Sequence, residues 1–171
     1  INRTNHIFYL ELLNLYFSFP ECRFDAFIIN KDDPNFNIKR YFPSTWDAHI
    51  KFSKLLISKN VTTGKACIIA DYLTKPKASV LFFEREIKVL DSVFNACMLE
   101  SHASLFIQLV DVLLGSVVYN FRYNQGAHKI NEYKSKIVDL VIDKLGAKKL
   151  GESFTVSKPN YFSVWEFKPR K

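Results

Sequence analysis

The segment from Ser104 to Tyr119 restricts the possible folds of this chain more than any other. At helical spacing most of its polar residues fall on one narrow face, and Leu, Phe, Ile and Val occupy most of the remaining circumference. The polar face consists of Ser104, Gln108, Asp111, Gly115 and, just beyond the segment, Arg122. A helix that is apolar around most of its circumference is typically a buried one, so we expect this helix to lie in the core.

Asp111 is the only ionisable residue between His102 and Tyr119. A carboxylate in a buried position needs a cation, a metal ion or a proton, because an unpaired buried charge is costly. Two interpretations follow. The helix is either a core element whose polar residues are satisfied by neighbours, or an element that presents Gln108 and Asp111 to a functional site. The apolar run is short and is interrupted by these two residues, which argues against a membrane span.

The composition is that of a globular protein, and 171 residues predict a single domain covering 1–171. The net charge of +7 favours acidic partners such as nucleic acid, although ordinary soluble proteins also reach this balance. Cys22, Cys67 and Cys97 are odd in number, have no C-x-x-C spacing and lie in apolar runs. These features predict reduced core cysteines in a cytoplasmic protein.

Strand patterns alternate with helical patterns along the chain, and this order predicts an α/β fold with a parallel or mixed sheet covered by helices. Thr4 and the capping-box pattern at Ser44 predict the starts of two helices. The next helix should direct Val80, Phe83, Ile87 and Leu90 into the core. Residues 127–171 should form a C-terminal helix, with Ile130 inward and Gly146 as its stop, followed by a last strand. Strands are predicted at 23–30, 65–70, 94–100 and 161–167.

The strand Lys65–Ala70 is apolar after Lys65, which is typical of strands that are buried on both faces, and it ends at Asp71. Ligand sites in open α/β sheets lie at the carboxyl ends of strands, so Asp71 is a candidate site residue. The alternative is that Asp71 only caps the strand or begins a turn.

Parts of this chain resemble the sequence motifs of a known protein family. The run Ile107–Ser116 resembles the Q-L-A-D-L-L-A-G signature of the domain-of-unknown-function 3800 family. Weaker similarities extend the resemblance from about Leu10 to Phe167, and they lie at Phe24–Lys31, Ile68–Asp71, Glu100–Ser104 and Val164–Trp165. The resemblance implies a ribonuclease-H-like fold, with a mixed sheet and helices on both of its faces.

The chain departs from the family in one respect, because the family opens with a strand that carries a D-E-S-G-like motif and no such motif occurs here. Ile1 lies after the expected position of that strand, so the first catalytic carboxylate of the family has no counterpart in this sequence. We therefore expect weak or absent activity from these residues alone. A sheet that lacks this strand should also have an exposed edge, through which the protein could self-associate.

The resemblance also implies a chemistry, since ribonuclease-H-like enzymes hydrolyse phosphodiester bonds with divalent metals held by carboxylates. It makes Asp71 and Asp111 the expected ligands of Mg²⁺ or Mn²⁺, and Gln108 a residue that orients Asp111 or contacts a water or a phosphate. Asp71 and Asp111 should then approach each other at the carboxyl end of the Lys65–Ala70 strand. The expected substrate is DNA or RNA. The alternatives are a non-catalytic nucleic-acid-binding module and a protein-interaction domain in which Gln108 and Asp111 form a buried polar network.

Overall fold

The structure is a computed structural model and describes residues 1–124, 126 and 130–169. These residues form an α/β fold, which confirms the predicted class. The helices are α1 (His6–Phe17), α2 (Ile38–Tyr41), α3 (Thr45–Asn60), α4 (Phe83–Lys88), α5 (Leu105–Asn124) and α6 (Glu132–Leu145). The strands are β1 (Phe24–Ile29), β2 (Ala66–Asp71), β3 (Val93–Leu99), β4 (Phe154–Val156) and β5 (Phe162–Phe167). The predicted C-terminal helix and strand correspond to α6 and β5, while residues 127–129, 170 and 171 lie outside the described residues.

The chain divides into two compact units, and the division falls within α5. The first unit comprises Ile1–Ile29 and Leu109–Lys168, and the second comprises Asn30–Gln108 with Pro169. The predicted single domain over residues 1–171 stays a prediction.

The first unit contains a mixed sheet with the strand order β1-β5-β4. β1 is parallel to β5, with Phe24 opposite Phe162, and β4 is antiparallel to β5. One face of this sheet packs against α1, α5 and α6 around a buried apolar core that includes Leu13, Phe24, Val117, Val141 and Phe162. The three residues of β4 fall in a stretch, Gly151–Pro159, that the sequence predicts to be a polar connector. That prediction is wrong because strand pairing with β5 outweighs the turn-forming residues on either side.

The second unit contains β2 and β3 as a parallel pair, with α3 and α4 packed on one of its faces. The buried residues there are Trp46, Ile50, Phe83, Ile87, Val93 and Ala96. Exposure alternates along β2, and Cys67 and Ile69 point to the open side, with Ile69 44% exposed. The prediction of one sheet is wrong for the described residues, because β2 and β3 pair only with each other and form a sheet of their own. The prediction that β2 is buried on both faces is also wrong, because the helices of the second unit cover only one face of this sheet.

Several local predictions can be compared directly with the structure. Ser44 accepts a hydrogen bond from the amide of Asp47 at 3.1 Å and begins α3, as predicted. Gly146, with a φ of 59°, ends α6 as predicted. The first helix begins at His6, after Asn5, and not at Thr4.

Three predictions of burial are wrong. Val80 is 85% exposed and Ile130 is 69% exposed, because α4 begins only at Phe83 and α6 only at Glu132. Helical periodicity cannot predict the side of a residue that lies outside the helix. All three cysteines are free thiols, but Cys67 is exposed and Cys22 and Cys97 are only partly buried, so none of them is fully buried, although Cys22 packs against the core of the first unit.

Candidate functional site at the ends of β2 and β3

The parallel pairing of β2 and β3 brings the carboxyl ends of both strands to the same edge of the sheet. Asp71 is the last residue of β2 and lies opposite Leu99, the last residue of β3. The amide of Tyr72 donates to the carbonyl oxygen of Leu99 at 2.9 Å, so the pairing continues to the end of β2. A 3-10 turn, Ser101–Ala103, follows β3 at this edge and leads into α5.

Three polar residues meet at this edge through hydrogen bonds. Ser101 Oγ donates to Asp71 Oδ1 at 2.7 Å, and the amide of Tyr72 donates to the same oxygen at 3.0 Å. Gln108 Nε2 donates to the carbonyl oxygen of Ser101 at 3.2 Å. Asp71, Ser101 and Gln108 therefore form one hydrogen-bonded group within the second unit, which we call the Asp71 cluster. Asp71 and Gln108 are exposed and Ser101 is partly exposed.

The start of α5 explains how Gln108 reaches this group. Ser104 is buried, its hydroxyl accepts a hydrogen bond from the amide of Ile107 at 3.4 Å, and its carbonyl accepts one from the amide of Gln108 at 3.2 Å. Ser104 thus occupies the N-terminal position that such hydroxyl residues favour. The side chain of Gln108 then lies one turn into the helix and can bond back to the turn before it.

Ser101 is the residue whose role the sequence did not reveal. Its hydrogen bond to Asp71 joins residues thirty positions apart, and it depends on the register between β2 and β3. The only local signal is the short polar segment between a strand and a helix, which is too common to identify a site.

The carboxylate of Asp71 is only partly engaged by its neighbours. Both hydrogen bonds go to Oδ1, and within residues 1–124, 126 and 130–169 neither a hydrogen-bond donor nor a salt bridge engages Oδ2. The cluster therefore holds Asp71 in one orientation and leaves its second oxygen available to a ligand.

Asp111 lies on α5, one turn after Gln108, and is exposed. The predicted burial of the polar face is wrong for Gln108, Asp111 and Gly115, which are all exposed. Apolar residues on this helix are exposed as well, since Leu105 is 81% and Phe106 is 74% exposed, so an apolar circumference did not imply burial. Asp71 and Asp111 belong to different units, and their approach stays a prediction.

The donor atoms of the Asp71 cluster are oxygens of the kind that Mg²⁺ and Mn²⁺ bind: a carboxylate, a hydroxyl and the amide oxygen of Gln108. The described part of the chain has no group of three or more His, Cys, Asp and Glu side chains that could hold a metal ion. The cluster thus fits a divalent metal in the type of its donors but supplies only one carboxylate, and we expect its affinity for the metal to be low.

Comparisons with family models, curated proteins and solved structures gave no match. The resemblance to the domain-of-unknown-function 3800 family therefore rests on the quoted motifs alone.

By length and composition, α5 is the one helix within the described ranges that could cross a membrane. Core helices of soluble proteins meet the same criteria, and Ile107, Leu113 and Val117 of α5 are buried in the protein. The expectation of no membrane association stays a prediction.

Proposed function

We propose that this protein carries a metal-dependent nuclease site of the ribonuclease-H-like kind, which hydrolyses phosphodiester bonds in DNA or RNA. The observation that carries the proposal is the Asp71 cluster, in which a carboxylate at the end of one parallel strand is held by a hydroxyl from the turn after the next strand. Ligand sites of open α/β sheets occupy this edge.

Each residue of the cluster has a distinct role in this proposal. Asp71 would hold Mg²⁺ or Mn²⁺, and Ser101 would keep the carboxylate oriented through its bond to Oδ1. Gln108 donates its amide nitrogen to Ser101, which leaves its amide oxygen to contact a water or the phosphate. Asp111 is proposed as a second carboxylate ligand. A divalent metal held by these residues would supply a nucleophilic water and would neutralise charge on the phosphate.

The charge of the chain supports a polyanionic substrate. Lysine and arginine number 24 against 17 aspartate and glutamate residues. Such an excess draws nucleic acid to the protein without regard to sequence, because cations on the phosphates are released on binding. The cleavage of bound strands would then depend on the Asp71 cluster.

The test is cleavage of labelled single- and double-stranded DNA and RNA, with protein in excess and with Mg²⁺, Mn²⁺ or EDTA. We expect slow cleavage that requires the metal and is abolished in Asp71→Asn and Asp111→Asn. Ser101→Ala should lower the rate about 10–100-fold, as is typical when a residue that orients a metal ligand is removed. Asp91→Asn is the matched control, because Asp91 is an exposed carboxylate near the amino end of β3.

The proposal fails if cleavage persists in EDTA, or if Asp71→Asn cleaves as fast as Asp91→Asn. The alternative is then a non-catalytic nucleic-acid-binding module. It is favoured by the low number of carboxylates in the Asp71 cluster, and it predicts that the protein binds these substrates without cleaving them.

A further inference from the structure

The face of the β1-β5-β4 sheet that points away from the buried core carries a row of aromatic side chains. Phe162 and Val164 point into the core, so the residues that alternate with them along β5 lie on the opposite face. These residues are Tyr161, Ser163, Trp165 and Phe167, and Arg23, Asp25 and Phe27 of the β1 segment lie beside them on the same face. We call this surface the aromatic face.

Trp165 is the most prominent residue of the aromatic face. It is 50% exposed, although a side chain of this size is usually buried in large part. The ring of Phe27 packs against it with 5.1 Å between the ring centroids, which supports the indole from the neighbouring strand. The indole is therefore held in place on one side and open to a ligand on the other.

A second planar group lies just before the first residue of β5. The guanidinium carbon of Arg23 lies 4.1 Å from the centre of the Tyr161 ring, in a cation–π contact. Trp165 lies four positions after Tyr161, a distance of about 13 Å along a strand. The two planar groups are therefore far enough apart to take two different bases.

Hydroxyl groups lie between these two planar groups. Ser163 Oγ and Thr155 Oγ1 are 3.0 Å apart on adjacent strands, and Asp25 lies opposite Ser163 on the other side. Burial raises the pKa of Asp25 above its usual value, and the Arg23 charge partly offsets this effect. These groups offer donors and acceptors to the edges of bases that stack on the planar groups.

Three basic side chains on or beside β5 can contact an anionic ligand, while Asp25 and Glu166 carry the opposite charge. Arg23 lies on the aromatic face, exposed Lys158 precedes β5, and Lys168 follows it with 80% of its side chain exposed. Lys168 makes only a long contact of 3.9 Å with Glu166. Aromatic rings interleaved with basic side chains are the usual means of holding single-stranded nucleic acid, where the rings stack on bases and the cations contact phosphates.

We propose that the aromatic face binds single-stranded nucleic acid, with Trp165 stacked on one base and the Arg23–Tyr161 pair on another. This binding needs neither a metal nor the Asp71 cluster, so it goes beyond the proposed cleavage. A duplex should bind more weakly than a single strand, because paired bases cannot stack on the protein.

The first test is the tryptophan emission of the protein during titration with short oligo(dT) or oligo(U) in EDTA. The chain has two tryptophans, and Trp46 is only 5% exposed and donates its indole N–H to the carbonyl oxygen of Leu81 at 3.1 Å. A change in emission should therefore come from Trp165 and should vanish in Trp165→Phe. If the emission does not change, or changes equally in Trp165→Phe, the proposal is wrong.

The second test is the affinity for a labelled oligonucleotide, measured by fluorescence anisotropy. Trp165→Leu should weaken binding about tenfold or more, because one base loses its stacking partner, whereas Trp165→Phe should keep most of the affinity. Phe8→Leu is the matched control, since Phe8 is 68% exposed on α1, which packs against the opposite face of the sheet. Circular dichroism verifies that each variant is folded.

Two further outcomes would overturn the proposal. One is equal affinity for Trp165→Leu and Phe8→Leu. The other is an emission of Trp165 that shifts with protein concentration alone, which would show that the aromatic face is covered by a second copy of the chain.

Discussion

The two units of this protein bury their sheets to different extents. The first unit covers one face of a three-stranded mixed sheet with three helices, and fifteen of its described residues form a buried core. The second unit covers one face of a two-stranded parallel pair with two helices, and its core contains six such residues. Parallel strands are rarely stable without a large buried sheet, so the second unit should be the weaker of the two.

This difference matters for function, because the candidate cleavage site and the candidate binding surface fall in different units. The Asp71 cluster lies at the exposed end of the smaller parallel pair, and the aromatic face lies on the sheet of the larger unit. Functional sites often lie in the less stable parts of a protein, where local opening costs little free energy. If both proposals hold, nucleic acid binds to the more stable unit and the metal binds to the less stable one.

The largest expected effect is in the core of the first unit. Phe162 has no solvent-exposed surface, and its ring centroid lies 4.5 Å from that of Phe24 and 5.9 Å from that of Phe154. Phe162→Ala should lower the free energy of unfolding by about 3–5 kcal/mol, because it leaves a cavity among well-packed rings. Hydrogen exchange should show lost protection in β1 and β5. A loss below about 1 kcal/mol would contradict the idea of a tightly packed first core.

A smaller effect is expected from the buried amide of the first unit. Asn160 has no exposed surface, and its Nδ2 donates to the carbonyl oxygens of Phe19 at 2.6 Å and Cys22 at 3.1 Å. Asn160→Ala leaves these carbonyls without that donor and should cost about 1–3 kcal/mol, measured by denaturant unfolding. Asn14→Ala, an exposed position on α1, should change stability by less than about 0.5 kcal/mol. Equal stability of the two variants would show that Asn160 does not hold the segment after α1.

Acidification should distinguish the two units, and this is the smallest of the expected effects on stability. His49 lies against the rings of Trp46 and Phe83, and burial lowers its pKa below the usual 6.5. The unfolded chain therefore binds a proton more readily, so the second unit should lose stability as the pH falls below about 6.5. The raised pKa of Asp25 acts in the opposite direction, because the first unit loses stability as the pH rises above the usual 3.8.

The measurement is hydrogen exchange between about pH 7 and about pH 5, corrected for the intrinsic rate of each amide. Amides of β2 and β3 should lose protection on acidification, and those of β1 and β5 should not. His49→Gln should remove this dependence. Equal loss of protection in both units, or an unchanged loss of protection in His49→Gln, would show that His49 does not make the second unit sensitive to acid.

The sequence predicted those features that local residues determine. Ser44 and Gly146 set helix ends through their own backbone and side-chain geometry, and the predicted strands β1, β2, β3 and β5 were correct to within a residue or two. Asp71 was predicted at a strand end for the same reason, since the apolar run before it identifies the strand.

Features that depend on distant partners could not be predicted in this way. The bond between Ser101 and Asp71 requires the register of two strands, and β4 exists only because β5 pairs with it. Asp111 was predicted to be buried because its helix is apolar on most sides. Which side of a helix is covered depends on the elements that pack against it, and the sequence of the helix alone does not specify them.

The central claim is that the Asp71 cluster binds a divalent metal, and Mn²⁺ titration followed by NMR tests it without requiring activity. Mn²⁺ broadens the signals of nuclei close to it, even when it binds weakly. In isotope-labelled protein, the amide signals of Tyr72, Ser101 and Gln108 should broaden first. In Asp71→Asn they should broaden no more than those of other exposed amides, whereas Asp91→Asn should behave like the parent. Broadening that begins elsewhere, or that persists around Ser101 in Asp71→Asn, would show that the Asp71 cluster does not bind the metal.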